Sequence, residues 1–133
     1  MPSLIGDPWV AATQPSEWIR LAHPSLFDHP LVNVESIERR TYQERVAQNA
    51  LRSSTLVSIP TGLGKSLIAA LVAAKRLEQH REKHVVVLAP TRPLVEQHYR
   101  TFRKLLRLDP DDFACVTGQA SPDDRSTAWS KRM

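Results

Sequence analysis

Residues 55–66 read Thr-Leu-Val-Ser-Ile-Pro-Thr-Gly-Leu-Gly-Lys-Ser, and this stretch decides the fold. The apolar, β-branched run 55–59 is typical of a strand, and Pro60 ends it. From Lys65 onward, apolar residues recur at helical spacing, which predicts a helix over 65–79. A strand that turns through a glycine-rich loop into a helix is the opening unit of an α/β domain.

The same alternation continues along the chain. The uninterrupted apolar run 85–89 predicts a strand covered on both faces, and 113–117 predicts another. Helical spacing of apolar residues predicts helices over 42–52 and 93–106. Ser121 followed by Pro122 and two aspartates is a typical helix start, with a capping hydroxyl and acids at the positive end. This order predicts an α/β fold with a parallel sheet.

The glycine-rich loop is the segment with the most specific chemistry. Gly62 and Gly64 allow backbone conformations in which successive N–H groups face an anion, and the following helix adds its positive end. Lys65 can reach the outer phosphates of ATP, and the Ser66 hydroxyl can bind the accompanying Mg²⁺. Ile59 stands where the general phosphate-loop pattern has its first glycine. The loop therefore predicts binding of ATP and Mg²⁺.

Charge and cysteine usage narrow the class of protein. The 133-residue chain carries a net charge of +4, with residues 1–38 acidic and the remainder basic. A basic body favours a polyanionic partner such as nucleic acid, although many basic proteins are merely soluble. Cys115 is the single cysteine, which excludes an internal disulfide and favours an intracellular setting. It lies in the short apolar run 113–116, so we expect a buried strand residue. No membrane helix or signal peptide is predicted.

Residues 1–30 differ from the remainder of the chain in composition. They contain five of the ten prolines and show no sustained periodicity, so we expect a proline-rich arm before the domain at 31–133. Trp9, Trp18 and Phe27 are expected to dock this arm on the domain, and a partner site is the alternative.

Four segments, in this order, resemble motifs of superfamily 2 helicases of the DEAD/DEAH type. They are Ile-Glu-Arg-Arg-Thr-Tyr-Gln-Glu (37–44), Ile-Pro-Thr-Gly-Leu-Gly-Lys-Ser (59–66), Leu-Ala-Pro-Thr-Arg-Pro-Leu-Val-Glu-Gln-His (88–98) and the stretch 116–129. The last segment, with His-Pro-Leu-Val at 29–32, is similar to a narrower group, the archaeal Hef and FANCM-type DNA helicases.

The resemblance implies a three-layer RecA-like P-loop fold, left incomplete because the chain ends before motif II. It implies ATP-dependent helicase activity in DNA repair or branched-DNA processing for a longer, intracellular protein (nuclear in a eukaryote). Lys65 would be the catalytic residue, and Ser66 would hold Mg²⁺ through ATP. ATP would be bound by Arg40, Tyr42, Gln43, Thr61, Gly62, Leu63, Gly64, Lys65 and Ser66. Nucleic acid would be bound by Pro90, Thr91, Arg92, Gln97, Thr117 and Gly118.

Several of these residues also have a simpler interpretation. Tyr42 lies on the apolar face of its helix, and Gln97 could be part of a solvated helix face. His98 falls on the apolar stripe of its helix, so we expect a core histidine.

Hydrolysis in this family needs an Asp-Glu-Ala-His box and a second motor domain. The sequence contains neither, so we expect very weak hydrolysis by these 133 residues alone. The subfamily resemblance favours DNA over RNA, but motifs that bind the backbone do not distinguish the two. An RNA helicase and a non-catalytic binding module remain alternatives. A small P-loop kinase or GTPase is disfavoured, and for a GTPase the guanine signature Asn-Lys-x-Asp is missing.

Overall fold

The computed structural model describes residues 25–33, 35 and 37–133. Its four α-helices are α1 (Thr41–Arg52), α2 (Lys65–Gln79), α3 (Arg92–Leu105) and α4 (Pro122–Ala128). Short 3₁₀ helices lie at Leu26–Asp28 and Pro110–Asp112. The helices predicted from periodicity are therefore present, with α1 beginning one residue earlier and α3 displaced by one residue at each end.

Helix α2 forms the centre of the core. Seven of its fifteen residues are buried: Leu67, Ile68, Ala70, Leu71, Ala73, Ala74 and Leu77. The sequence predicted five of them as an apolar stripe, and Ala70 and Ala73 extend the stripe around the helix. Helix α2 packs against α1, α3 and the first 3₁₀ helix, so it is covered from several sides.

Helix α1 makes the most extensive helix contact with α2. Ala47 of α1 is fully buried in the same core as the alanines of α2, and small side chains allow two helix backbones to approach closely. A long-range hydrogen bond secures the far end of α1, where the Arg76 guanidinium donates to the carbonyl of Leu51 at 2.7 Å. A cation at a helix C-terminus satisfies carbonyls that have no partner within the helix.

Residues 25–33 pack against the domain. Leu26 and Phe27 belong to the buried core. The backbone of Asn33 donates to Leu105 at 2.8 Å, and that of Arg107 donates to Leu31 at 2.8 Å. The part of the predicted arm that the structure describes is therefore docked, with Phe27 among its anchors. Trp9 and Trp18 lie outside the described residues.

The expected parallel sheet is not confirmed. Strands were predicted over 55–59, 85–89 and 113–117, but within the described residues none of these segments is a strand and none pairs with another in a ladder. Segment 55–59 packs one side on the core through Val57 and Ile59, while Leu56 is 96% exposed. A strand ladder requires a neighbouring backbone at about 4.8 Å, which these segments do not offer one another.

The absent ladder also changes the environment of the single cysteine. Cys115 is exposed, and the prediction of a buried strand residue is wrong at this position. Its segment lacks a covering strand, so the thiol faces an open groove. His98 is half-buried, with its ring centroid 6.4 Å from that of Phe102, and this agrees with its position on the apolar stripe.

Helix α4 begins with the predicted cap. The Ser121 hydroxyl accepts a hydrogen bond from the backbone of Asp124 at 3.1 Å. Hydrogen bonds from the Ser121 hydroxyl and backbone lower the pKa of the Asp124 carboxyl. This carboxylate therefore stabilises the helix start above its unfolded pKa, and the contribution is lost as the pH falls through the lowered value. In the described part of the chain, every helix is too short or too polar to cross a membrane.

If α2 is the centre of the core, truncating Leu71 should destabilise the domain far more than truncating an exposed leucine. Leu71 is 1% exposed, and we expect Leu71→Ala to lower the free energy of unfolding by about 2–5 kcal/mol. Leu56→Ala is the matched control, with an expected change within about 0.5 kcal/mol. Urea unfolding measures both, and losses of similar size would contradict this description of the core.

Candidate functional site

The loop between segment 55–59 and α2 has the backbone geometry of an anion cradle. Gly62 and Gly64 both lie in the left-handed region, at φ 85° and 82°. Side chains other than glycine rarely adopt this conformation, because the Cβ atom collides with the backbone. The positive φ at Gly64 directs the chain into α2, whose first N–H groups are free of helix partners. The two glycines that the sequence singled out therefore shape the loop.

Lys65 and Ser66 occupy the first two positions of α2. The Lys65 ammonium is exposed and donates to the carbonyl of Ile59, at the end of segment 55–59. The charge therefore lies near the carboxyl end of segment 55–59, where the loop begins. Ser66 is half-buried.

Tyr42 and Gln43 of α1 reach over to the loop. Both side chains donate to the carbonyl of Leu63, the Gln43 amide at 3.4 Å. The oxygen of that amide accepts from the backbone of Arg40 at 3.2 Å, and Gln43 is only 3% exposed. A Cβ atom on Gly64 would collide with the Gln43 amide nitrogen. Gln43 therefore couples the start of α1 to the phosphate loop.

Arg40 lies immediately before α1 and pairs with a neighbouring acid. Its guanidinium donates to Glu38 at 2.8 Å. The hydrogen bond and charge of Glu38, and secondarily the Tyr42 hydroxyl, raise the pKa of Arg40, while the same pair lowers the pKa of Glu38. Tyr42 and Gln43 thus lie against the loop, and Arg40 directly precedes them at the start of α1.

Thr91 and Arg92 follow the extended segment 85–89. Thr91 is the residue before the first turn of α3, and its carbonyl accepts from Val95 at 3.0 Å. The Arg92 guanidinium donates to Glu96 at 2.8 Å and also to the side chain of Gln119. Pro90, Thr91 and Arg92 are exposed, so they are accessible to a large ligand.

The contact between Arg92 and Gln119 joins two segments that are 27 residues apart in sequence. Gly118 and Gln119 are the central residues of a turn in which the Thr117 carbonyl accepts from Ala120 at 3.0 Å. The structure therefore brings Arg92 beside the predicted turn. Gln97 is exposed further along α3 and makes no side-chain hydrogen bond to this group.

Sequence reasoning missed two polar side chains of this surface. Gln119 contacts Arg92, and the Arg125 guanidinium of α4 lies 3.5 Å from the Gly118 carbonyl. The position of Gln119 directly after Thr117 and Gly118 in the sequence was the available signal for the first. The signal for Arg125 was its place one helical turn after the cap at Ser121.

The described residues include no group of three or more His, Cys, Asp or Glu side chains that could hold a metal ion. The Ser66 hydroxyl, which the sequence predicts as a contact of Mg²⁺, lies in the first turn of α2.

The comparisons with known proteins agree with this geometry. The model of the family described as "DEAD/DEAH box helicase" matches residues 40–132. The matched range begins at Arg40, one residue before α1, and includes the glycine-rich loop and residues 90–92, 117 and 118. The chain belongs to the DEAD/DEAH box helicase family.

Individual relatives point to one branch of this family. The chain is 42% identical over 104 residues to a Methanocaldococcus jannaschii protein assigned as an ATP-dependent RNA helicase. This match covers 78% of the chain and 13% of the relative. It is 37% identical over 106 residues to the DEAD-box ATP-dependent DNA helicase Fancm of Drosophila melanogaster. This match covers 79% of the chain and 7% of the relative. The solved Hef helicase domain of Pyrococcus furiosus matches with a TM-score of 0.67 and 40% identity, over 75% of this chain and 21% of that one. The chain therefore spans a small fraction of the relatives it matches.

The collision expected at Gly64 separates its role from that of Gly62. Both Gly→Ala substitutions strain a left-handed residue by about 1–2 kcal/mol, but an added Cβ at Gly62 meets open space. Gly64→Ala must also displace the Gln43 amide from its hydrogen bonds, at a further cost of about 1 kcal/mol. Urea unfolding of both variants measures the difference. Equal losses would contradict a coupling between α1 and the loop through Gln43.

Proposed function

We propose that this chain is the ATP-binding portion of an ATP-dependent helicase or translocase that acts on DNA in repair or branched-DNA processing. The observation that carries the proposal is the Gly-Leu-Gly-Lys-Ser loop. Both glycines are left-handed, the loop leads into a buried helix, and it lies in a chain that belongs to the DEAD/DEAH box helicases. The DNA helicase Fancm and the Hef helicase domain support the choice of branch.

ATP binding is supported by the backbone N–H donors around the loop. The N–H groups of Thr61 to Gly64 and those of Lys65 and Ser66 would surround the phosphates, because the left-handed φ at Gly62 and Gly64 shapes this part of the backbone. Lys65 would exchange the Ile59 carbonyl for the outer phosphates, since a charged acceptor is the stronger partner. Ser66 would bind Mg²⁺. Bound Mg-ATP would supply the transferable phosphoryl group.

The adenine end of the nucleotide is assigned to the corner formed by α1. Tyr42 and Gln43 lie beside the loop, and Arg40 precedes them. The Gln43 amide uses one oxygen lone pair and one N–H in the contacts seen here, so it retains a donor and an acceptor for a base edge. Because the Gln43 side chain also holds the carbonyl of Leu63, binding of a base would affect the conformation of the phosphate loop.

Nucleic-acid binding is assigned to the surface formed by residues 90–92, 117 and 118. The Arg92 ion pair with Glu96 is exposed on both sides, and pairs of this kind contribute about 1 kcal/mol or less. A phosphate can therefore replace Glu96 as the partner of Arg92. The Thr91 hydroxyl and the turn at Gly118 add further donors to a backbone phosphate. Gln97 remains a candidate on the adjoining helix face.

An RNA helicase of the same family is the second candidate. It is favoured by the name of the Methanocaldococcus relative, which is assigned to RNA. The proposed contacts reach phosphates rather than bases, so they admit either polymer. For hydrolysis, the chain lacks an Asp-Glu-Ala-His box to hold Mg²⁺ and orient water. We therefore propose that these residues bind ATP and supply hydrolysis only as part of a complete motor.

Removing the Lys65 ammonium should weaken nucleotide binding selectively. A hydrogen bond between a charged pair contributes about 1.5–3 kcal/mol, so Lys65→Ala should raise the Kd of a fluorescent ATP analogue about tenfold to a hundredfold. Lys75→Ala, on the same helix but paired with Glu78, is the control and should leave this Kd unchanged. Equal affinity of the Lys65 variant and the unmodified chain would remove Lys65 from the site.

Arg92 should contribute one phosphate contact to single-stranded DNA. Arg92→Ala should weaken binding and reduce the slope of log K against log salt by about 0.7, the value for one contact on a single strand. Arg103→Ala, near the other end of α3 where the guanidinium lies over Tyr99, should leave the slope unchanged. Fluorescence anisotropy of a labelled oligonucleotide measures both. An RNA oligonucleotide of the same sequence distinguishes the two candidate polymers, and an unchanged slope for Arg92→Ala would exclude the proposed surface.

A further inference from the structure

The positive charge of the chain is concentrated on the outer face of α3 and just beyond its end. Residues 97–107 contain no acid and four cationic residues: Arg100, Arg103, Lys104 and Arg107. The whole chain has a formal net charge of +4, so its other residues together carry no net charge. All four cationic residues are exposed. A surface patch with charges of a single sign attracts a partner of the opposite sign, here a polyanion.

Three of these residues form what we name the cationic row, which consists of Arg100, Lys104 and Arg107. Arg100 and Lys104 lie one helical turn apart on the same face of α3, and Arg107 follows two residues after the helix ends. The opposite face of the helix is held in the core by Phe102 and Leu105, which are 3% and 9% exposed. The row therefore lies on the side of α3 that faces away from the core.

Contacts with residues 25–33 fix the end of α3 that carries the row. The Asn33 side chain donates to the carbonyl of Lys104 at 3.1 Å, and the Asn33 backbone donates to Leu105 at 2.8 Å. The backbone of Arg107 donates to Leu31 at 2.8 Å. The backbone beneath the row is thus held both by the core and by a second segment, so the spacing of its cations is set by tertiary packing.

The acids nearest to the row in sequence leave its charge available. Glu96, one turn before Arg100, is paired with Arg92 at 2.8 Å. Asp109 accepts a hydrogen bond from the backbone of Asp111 at 2.9 Å and so caps a 3₁₀ helix. Among the residues that the structure describes, no carboxylate forms an ion pair with the cationic row. A phosphate can therefore bind the row without displacing a partner.

The surroundings of the row favour a duplex over a single strand or a protein. Single strands are bound by cations together with aromatic faces on which the bases stack. Phe102 is buried, and the half-buried Tyr99 ring lies beneath the Arg103 guanidinium, 5.5 Å from the ring centroid, so neither ring offers such a face. Protein interfaces centre on buried aromatic or apolar anchors, but within residues 97–107 no large apolar side chain is exposed. Cations alone suit the phosphates of a duplex, whose bases already stack on one another.

We infer that the cationic row binds the phosphates of a DNA duplex that adjoins the single strand assigned to residues 90–92, 117 and 118. Arg100 and Lys104 are about 6 Å apart along the helix axis. A duplex carries one charge per about 1.7 Å of its axis, so each cation can meet a phosphate of its own. Glu96 lies one turn from both Arg92 and Arg100 and separates the two surfaces. The inference rests on the proposed function and adds to it a surface for the duplex arm.

Neutralising the row should weaken binding to a junction but not to a single strand. The probe is a fluorescently labelled DNA duplex with a single-stranded extension, measured by anisotropy. Arg100→Gln combined with Lys104→Gln removes two phosphate contacts, so the slope of log K against log salt should fall by about 1.8. Between about 50 and about 200 mM salt, the double variant should then lose about twelvefold less affinity than the unmodified chain. The extension alone, without the duplex, should bind both proteins equally.

Arg81→Gln combined with Lys83→Gln is the matched control, because it removes the same two kinds of charge from the exposed segment after α2. This control should leave the slope for the junction unchanged. An unchanged slope for the row variant, or an equal fall in the control, would overturn the inference. A fall of the same size on the extension alone would assign the row to the single strand. Tighter binding of a poly-glutamate peptide than of the junction would assign it to an acidic protein, and either result would also overturn the inference.

The single-stranded extension keeps this test separate from that of the proposed function. If Arg92→Ala lowers the slope on the extension while the row variant changes nothing on the junction, the proposed function stands and the inference fails. Equal affinity of the unmodified chain for the junction and for the extension alone would also overturn the inference. If the double variant does not fold, Lys104→Gln alone replaces it, with an expected fall in slope of about 0.9 on the junction.

Discussion

Burial of α2 is the constraint on which the other parts of the structure depend. Ala70, Leu71 and Ala74 have almost no exposed surface, and the helix is packed against α1, α3 and the 3₁₀ helix at Leu26–Asp28. Since a core at this density tolerates little displacement, the helix cannot rotate or slide without opening cavities. Its first residue is Lys65, so the packing of the helix also fixes where its positive end and its lysine lie.

The phosphate loop is held from two directions as a consequence. Helix α2 fixes its C-terminal end, and Tyr42 and Gln43 of α1 hold the carbonyl of Leu63. Glycine at position 64 satisfies both requirements, because the residue must take a left-handed φ and leave room for the Gln43 amide. This arrangement fixes the conformation of the loop. It also connects the start of α1 to the loop through one buried side chain rather than through a long path.

The structure also shows which features of the fold the local sequence pattern predicts and which it does not. Helices α1, α2 and α3 were predicted to within a residue, because their apolar spacing and end signals lie within the helices themselves. Strands were predicted over 55–59, 85–89 and 113–117 and are not confirmed, because a parallel ladder depends on which segments come to lie side by side. Cys115 was misplaced for this reason. Its apolar neighbours indicated burial, while the covering strand that burial needs is missing from its side.

The sequence by itself determined the helices, the glycine loop with Lys65 and Ser66, and the family to which the chain belongs. These depend on residues that are close together along the chain, where spacing and residue type act directly. The tertiary structure decided that Gln43 supports Leu63 from 20 residues away, that Arg92 meets Gln119, and that an apolar groove remains open beside Cys115. Each of these depends on how separate segments pack around α2, and the order of residues along the chain does not specify that packing.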